Sequence, residues 1–483
     1  MVERNRVPEA YSLCPFDKEN TNRYKVHVGI NDLENAPLHD NAGEFNPFID
    51  RKINNPTTDC QTLTHLMKST LGTGIMAMPY AFKSAGIIGG LLGGLLMAAV
   101  CTHTSYILID CAHKLYYKTK KKKMDYPDVI EAAFFTGPEW AHKFSKFARY
   151  TAQIGIFSAY FGACSADNVA IATNYGQVIK YYTNLNSTAN ITDATELLNT
   201  VDVELNLLRI IMSCLILPLI LIVWVPDLKY LTPISTMANF FMAAVIGITF
   251  YYLAQNPLPI DKLPLTKSVT EFPQFFSITL FAMENIGVMM PLENSMKTPQ
   301  NFLGTCGVLN RGMFVITFVY LLLGVGGYIK YGDNVSEIVT TNLPVNEIPA
   351  QIVKILIGST VLFTFGLQFY VCREMAWNRV KHHFPNHPLI AEYVLRAILV
   401  IICVLIAIAI PKIGPLINLV GALGFSLLGI IGPAIIELVT YWDIGFGRCN
   451  WKVYKNIFLL IFGVFVLIAG CYFSVIDIKN NIL

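Results

Sequence analysis

The chain of 483 residues is 54% hydrophobic and only 14% charged, against about 25% charged residues in an ordinary soluble domain. A net charge of +3 is too small to imply nucleic acid as a partner, and a mean hydropathy of +0.48 excludes a soluble globular class. Apolar runs recur along nearly the whole length past residue 60, which predicts an all-α polytopic membrane protein in a lipid bilayer.

Residues 1–58 are polar, mixed in charge and free of an apolar h-region, with Pro8, Pro15, Pro37, Pro47 and Pro56 spread through them. They read as a flexible cytosolic tail, which in the sensor reading below docks signalling partners, and not as a cleavable leader.

Requiring roughly 20 mainly apolar residues per crossing, the chain yields about eleven spans: 61–83, 86–112, 147–180, 207–225, 232–254, 273–295, 307–329, 348–375, 391–410, 415–440 and 456–476. The transport domain is thus 59–476, leaving 477–483 as a short extracytosolic tail. Lys118, Lys120, Lys121, Lys122 and Lys123 crowd the 2–3 connection. Arg373, Arg379 and Lys381 lie between spans 8 and 9, and Arg448, Lys452 and Lys455 between spans 10 and 11. The positive-inside rule then puts the N-terminus in the cytosol. Glycosylation acceptors at Asn186, Asn190 and Asn334 fall in loops that this topology places outside. Of the 11 cysteines, Cys101, Cys111, Cys164, Cys214 and Cys403 lie inside apolar runs, where small packing residues belong.

The first span carries Thr62-Leu-Thr-His65-Leu-Met-Lys68-Ser-Thr70-Leu-Gly72-Thr73-Gly74-Ile-Met-Ala-Met-Pro79. A helix that only crosses lipid has no need of these residues. Glycine and proline lower the cost of leaving helical geometry, and a broken helix inside a membrane is tolerated where it lines a cavity. Five spans later, Phe281-Ala282-Met283-Glu284-Asn285-Ile-Gly287-Val-Met-Met-Pro291 repeats the arrangement of a glycine, a short apolar run and a proline. Helices five spans apart cross in opposite directions, so the pair predicts an inverted repeat with a midplane site.

The chemistry follows from the breaks. Amide groups freed near Thr70, Gly72, Thr73 and Gly74, at the start of a half-helix, suit a carboxylate. Carbonyls freed near Phe281, Ala282 and Met283, at the end of one, suit an ammonium group. Together they define a site for an amino-acid zwitterion, with Glu284 inside the second break. His65, two turns before the first break, has an ordinary pKa of about 6.5 and can gain and lose a proton in a cycle. His65 and Glu284 are the candidate proton-coupling residues. Asp167 and Asn168 in the third span are accounted for by helix-to-helix hydrogen bonds. Tyr160, Phe161, Phe281 and Phe365 are either pocket lining or packing.

These pieces together resemble the proton-coupled amino-acid transporters of the amino acid/auxin permease superfamily. The resemblance rests on Thr64-His65-Leu-Met-Lys68 with Gly72-Thr73-Gly74 and Pro79, and on Cys101-Thr-His103 with Cys111-Ala-His113. It continues in Glu284-Asn-Ile-Gly287-Val-Met-Met-Pro291-Leu-Glu293-Asn294 and covers residues 59–476. The 2–3 region looks most like insect members. The resemblance implies a LeuT-like fold with a five-plus-five inverted repeat, helices 1 and 6 interrupted, and an eleventh helix. It also implies symport of protons with small neutral amino acids at the plasma or lysosomal membrane, with His65 as the proton-sensing histidine. Mammalian relatives join the 3–4 and 7–8 outer loops by a disulfide, and this chain has no cysteine in either.

Two other readings compete: an amino-acid sensor signalling to growth control, and a sodium-coupled transporter using Ser359, Thr360 and Thr364. An enzyme is not expected, since no metal-ligand cluster and no nucleophile pattern is present. No cofactor is expected, with the proton itself as coupling ion.

Overall fold

The computed structural model describes residues 45–51, 53, 56–184, 194–225, 228–255, 258, 263–283 and 285–482. Among the described residues, 10 helices are long and apolar enough to cross a membrane. One more span is made of two helices too short to cross alone, α1 (Asp59–Thr70) and α2 (Gly74–Ala85).

The second and third spans are α3 (Ile87–Thr119) and α5 (Ser145–Asn184), with the short α4 (Tyr126–Thr136) between them. Spans four and five are α6 (Ala194–Val223) and α7 (Leu228–Ala254). The sixth is divided into α8 (Phe272–Met283) and α9 (Ile286–Ser295). Then follow α10 (Val308–Tyr331), α11 (Ile348–Val380), α12 (Pro388–Ala409), α13 (Ile413–Thr440) and α14 (Trp451–Ile482). The all-α fold with interrupted helices 1 and 6 and an eleventh helix is therefore as expected.

The order of packing carries the repeat. Span 1 packs on span 6 (α2 on α8), span 2 on span 7 (α3 on α10), span 3 on span 8 (α5 on α11) and span 4 on span 9 (α6 on α12). Because the chain reverses at each crossing, members of each pair run in opposite directions. α13 packs on α8 and α5 and contains a π-helical stretch, Val420–Ile431, a wider winding found mostly near functional sites.

Several elements differ from the sequence expectation. α3 runs on to Thr119, past the apolar end near 112, so its basic last turn is helical. α4 has 11 residues, too few to cross lipid. It is nonetheless a folded helix, burying Val129, Ile130, Ala132 and Ala133 on one side and packing on α5. Residues 477–482, read as a tail, continue α14. Residues 45–51 and 56–58 of the expected N-terminal tail lie against the bundle, with Arg51 buried. Residues 1–44 are outside the described residues.

α1 is started by a capping box: Gln61 N–H donates to Thr58 Oγ1 at 3.3 Å, and Thr58 N–H donates to Gln61 Oε1 at 3.0 Å. At the other end of the bundle, Glu337 Oε2 accepts from the Gly414 N–H at 2.9 Å and caps the start of α13. Burial pushes the Glu337 carboxyl above its ordinary range.

The closest approach between the sixth and tenth spans needs a glycine. A Cβ on Gly421 would lie 2.0 Å from the Ser277 carbonyl oxygen, which is backbone and cannot swing aside. Gly421→Ala is expected to cost about 1–3 kcal/mol by overpacking. Gly247→Ala, where nothing lies within 4 Å of the added carbon, should leave the Tm unchanged or slightly raised. Thermal unfolding of the two purified variants checks the pair.

Candidate functional site: two helix breaks and the seal beneath them

Each half-helix ends in the middle of the bundle, where backbone groups without helical partners must be satisfied by other means. The first break opens at Leu71 (φ −73°, ψ 69°), and Gly72 N–H turns back onto the Thr70 carbonyl at 2.7 Å. α2 then starts with Ile75 N–H on the Gly72 carbonyl at 3.4 Å and Met76 N–H on the Thr73 carbonyl at 3.1 Å.

Tyr320 on α10 holds the two breaks together. Its hydroxyl is fully buried, 2.7 Å from the Thr70 carbonyl and 2.9 Å from the Ala282 carbonyl. One donor therefore serves the C-terminal ends of both α1 and α8. Asn285 adds a second tie, its Nδ2 donating to Thr70 Oγ1 at 2.9 Å. Thr73 Oγ1 donates to Asp167 Oδ1 on α5 at 3.0 Å.

The glycines divide their work. A Cβ on Gly74 would come within 2.7 Å of Ala282 Cα, so Gly74 lets the start of α2 touch the end of α8. Gly72 has nothing nearer than its neighbour's Thr70 carbonyl at 4.0 Å. A Cβ on Gly287 would collide with the Tyr160 hydroxyl at 2.3 Å, so α5 reaches the second break there.

Of the residues expected at the breaks, Thr70 and Gly74 of the first thus lie against Ala282 and Asn285 of the second, and Thr73 reaches α5. Glu284 lies outside the described residues. Phe281 packs its ring on Phe425, 6.0 Å between centroids. Phe161 and Phe365 both pack on Phe369, centroids 6.3 and 5.3 Å away. His65 is exposed, while Thr62, Leu66 and Thr70 form the buried face of α1. Ser359 pairs with the Tyr175 hydroxyl at 3.0 Å, while Thr360 and Thr364 donate back to the Leu356 and Thr360 carbonyls at 2.8 and 3.0 Å. A cavity of about 850 Å³ lies elsewhere. It is an apolar groove between α3 and α10 lined by exposed Leu95, Phe314 and Phe318, so it faces the surroundings of the bundle and not the breaks.

A second cluster lies beneath the breaks, on the side where the described chain begins. Glu293, fully buried at the end of α9, is met by Arg51 Nη1 at 3.3 Å, His113 Nε2 at 3.2 Å and the Tyr116 hydroxyl at 2.9 Å. Arg51 Nε also donates to the Lys122 carbonyl at 2.6 Å. Phe48 covers the cluster edge-on, its ring 5.0 Å from that of His113 and 5.9 Å from that of Tyr117. The residues just before α1, α3 and α9 are therefore sealed together around one carboxylate. Sequence reasoning quoted His113 and Glu293 only as motif members. The available signal was a lone glutamate placed just after a proline in an apolar helix, with Arg51 the one arginine in the 14 residues before Thr58.

Two broken antiparallel helices joined at their breaks inside a bundle of apolar helices define a membrane transporter, not an enzyme. The chain belongs to the transmembrane amino acid transporter protein family, whose model matches residues 55–476. Within it, the chain stands in the proton-coupled amino-acid transporter branch. It is 46% identical over 455 residues to the "Proton-coupled amino acid transporter-like protein pathetic" of Drosophila melanogaster, covering 94% of this chain and 92% of that one. It is also 24% identical over 429 residues to the "Probable amino acid transporter skat-1" of Caenorhabditis elegans, covering 86% and 89%. Among solved structures, MhsT in complex with L-phenylalanine is similar at a TM-score of 0.47 and 13% identity, over 87% of this chain and 96% of that one.

Tyr320→Phe removes the donor that the Thr70 and Ala282 carbonyls share. It is expected to cost about 1–3 kcal/mol and to lower amino-acid uptake more than surface expression, read by uptake normalised to protein at the membrane. Arg51→Ala leaves a buried carboxylate short of its permanent cation and is expected to cost about 3–5 kcal/mol. A clear drop in the Tm of the purified protein is the readout.

Proposed function

We propose that the chain is a secondary active symporter carrying protons together with small neutral amino acids across the plasma or lysosomal membrane. The observation that carries this is the contact between the start of α2 and the end of α8 at Gly74 and Ala282. A half-helix start attracts a carboxylate and a half-helix end attracts an ammonium group, so opposite ends side by side fit a zwitterion. Gly72, with open space at its Cα, is where a substrate carboxylate approaches the backbone. The carbonyls of Phe281 and Met283 are the acceptors for the ammonium group. Tyr160 on Gly287 and Phe281 on Phe425 crowd the breaks, which favours a short uncharged side chain.

The seal around Glu293 is on the cytosolic side in this reading, and the basic 2–3 connection agrees with that placement. Exposed Asn334, on the opposite side of the bundle, is then an extracytosolic glycosylation acceptor. Asn186 and Asn190 are outside the described residues. Proton coupling is favoured by the name of the Drosophila relative and by His65, a titratable residue on the exposed side of α1. Glu284, next in the chain after Met283, is the second carrier in this reading.

Uptake of a small neutral amino acid is expected to rise as the outer medium is taken from about pH 7.5 to 5.5, the range in which histidine titrates, and to be indifferent to replacement of sodium. His65→Ala should flatten that rise. Currents that ignore pH in the wild-type protein would sink the proton reading, and a variant with full acid stimulation would remove His65 from it.

A further inference from the structure

We propose that Asp167 is a protonation site at the first helix break, coupled to the backbone there through Thr73. This rests on the proton-symport reading above. Asp167 is 2% exposed and sits on the face of α5 that meets both breaks. Tyr160 is seven residues before it, two helical turns away and on the same side, and touches Gly287 of the second break. Asp167 itself touches Thr73 of the first.

The carboxyl is poorly provided for as an anion. Oδ1 accepts from the Thr73 hydroxyl at 3.0 Å, and Oδ2 has no hydrogen-bond partner among the described residues. No cation among the described residues comes within ion-pair distance of it. Its titratable neighbours are thiols, Cys164 on the same helix and Cys403 on α12. Cys403 is itself engaged by Ser165 at 3.3 Å and by Asn168 at 3.6 Å. The charged groups that the packed helices bring to α5 are held elsewhere along it. Lys354 of α11 is held by Gln177 Oε1 and the Thr340 carbonyl. Asp128 and Glu131 of α4 pair with Arg149. From α13, Asn418 is uncharged and buried.

A buried carboxylate without counter-charge is costly, whereas a protonated carboxyl is far less so. The proton is therefore bound while the site is closed. It leaves when the break opens to water, which can solvate the anion and its Thr73 contact. Thr73 belongs to the segment whose amides approach the substrate carboxylate, so loss of the proton and rearrangement of the substrate-binding backbone are one event. A second consequence is electrostatic. With Asp167 neutral, the incoming substrate carboxylate meets no like charge at the break.

The test uses the full-length protein in proteoliposomes with Asp167→Asn and Asp167→Glu, and alanine as the probe substrate. Asp167→Asn mimics the protonated form. It should bind alanine with an affinity that changes less with pH than that of the wild type and exchange alanine across the membrane, yet lose proton-driven accumulation. In the wild type the affinity should strengthen by up to about tenfold per pH unit on acidification for one linked proton. Asp167→Glu restores a titratable group and should regain acid-dependent accumulation. Asp167→Asn that accumulates alanine with wild-type acid stimulation overturns the proposal. So does a folded Asp167→Asn that binds no alanine at any pH, since the carboxyl is then a substrate ligand. If the wild type itself shows no proton dependence, the symport reading fails first, and that result is separate from any difference between the variants.

Discussion

The arrangement depends on one hydroxyl. Breaking two helices inside a membrane bundle leaves carbonyls at both C-terminal ends that lipid cannot satisfy. Tyr320 from a third span reaches both of them and is itself fully buried. Its position on α10 fixes the distance between the Thr70 and Ala282 carbonyls, which in turn lets Gly74 rest on Ala282.

Charge is handled differently on the two sides of the breaks. Beneath them, Glu293 is an anion with an arginine, a histidine and a tyrosine around it, and desolvation is offset by several short contacts. At the first break, Asp167 has one hydroxyl and no cation among the described residues. The first arrangement is a clamp that holds one charge state. The second tolerates only the neutral form while closed. A cluster that must stay shut and a group that must change state are both built on a carboxyl group, and the donors and cations around it make the difference.

Much of this was legible in the chain. Apolar run lengths located each span, though α3 continues to Thr119 and α6 begins at Ala194, both well beyond the apolar runs, and glycine with proline at Gly74–Pro79 and Gly287–Pro291 marked both breaks. α4 was hidden because an 11-residue amphipathic helix has no span-length signal. The partner of each break was hidden because Tyr320 sits in an ordinary apolar run, where a tyrosine reads as packing until its hydroxyl is seen on two carbonyls. Gly74 looked like a place for a ligand to approach, yet its missing side chain is filled by Ala282. Composition reveals that space is needed and not what occupies it. Arg51 escaped notice because its proline-rich surroundings read as tail, and its burial depends on Glu293, 242 residues away.

The two clusters are mechanically one unit. α1 and α9 run antiparallel and are tied at both ends. Asn285 and Thr70 join them at the breaks. At the far ends, Thr57 N–H donates to the Ser295 carbonyl and Lys297 N–H to the Thr57 carbonyl, each at 2.9 Å. Thr298 and Asn301 also bind the two oxygens of Asp59, at 2.8 and 2.7 Å. The pair meets the rest of the bundle on that side through Glu293 to His113 and Tyr116 of α3, through Asn294 Nδ2 on the Met124 carbonyl at 2.8 Å, and through the packing of α1 on α10. Opening that side therefore means either separating Glu293 from α3 or tearing the pair apart at several hydrogen bonds. The first route leaves the pair itself intact. It moves Thr70 and Asn285 together, so Tyr320 feels the displacement at its Thr70 carbonyl while its Ala282 contact stays with α8. The seal and the first break thus share one hydrogen-bonded pair of half-helices, so a displacement at one is carried toward the other.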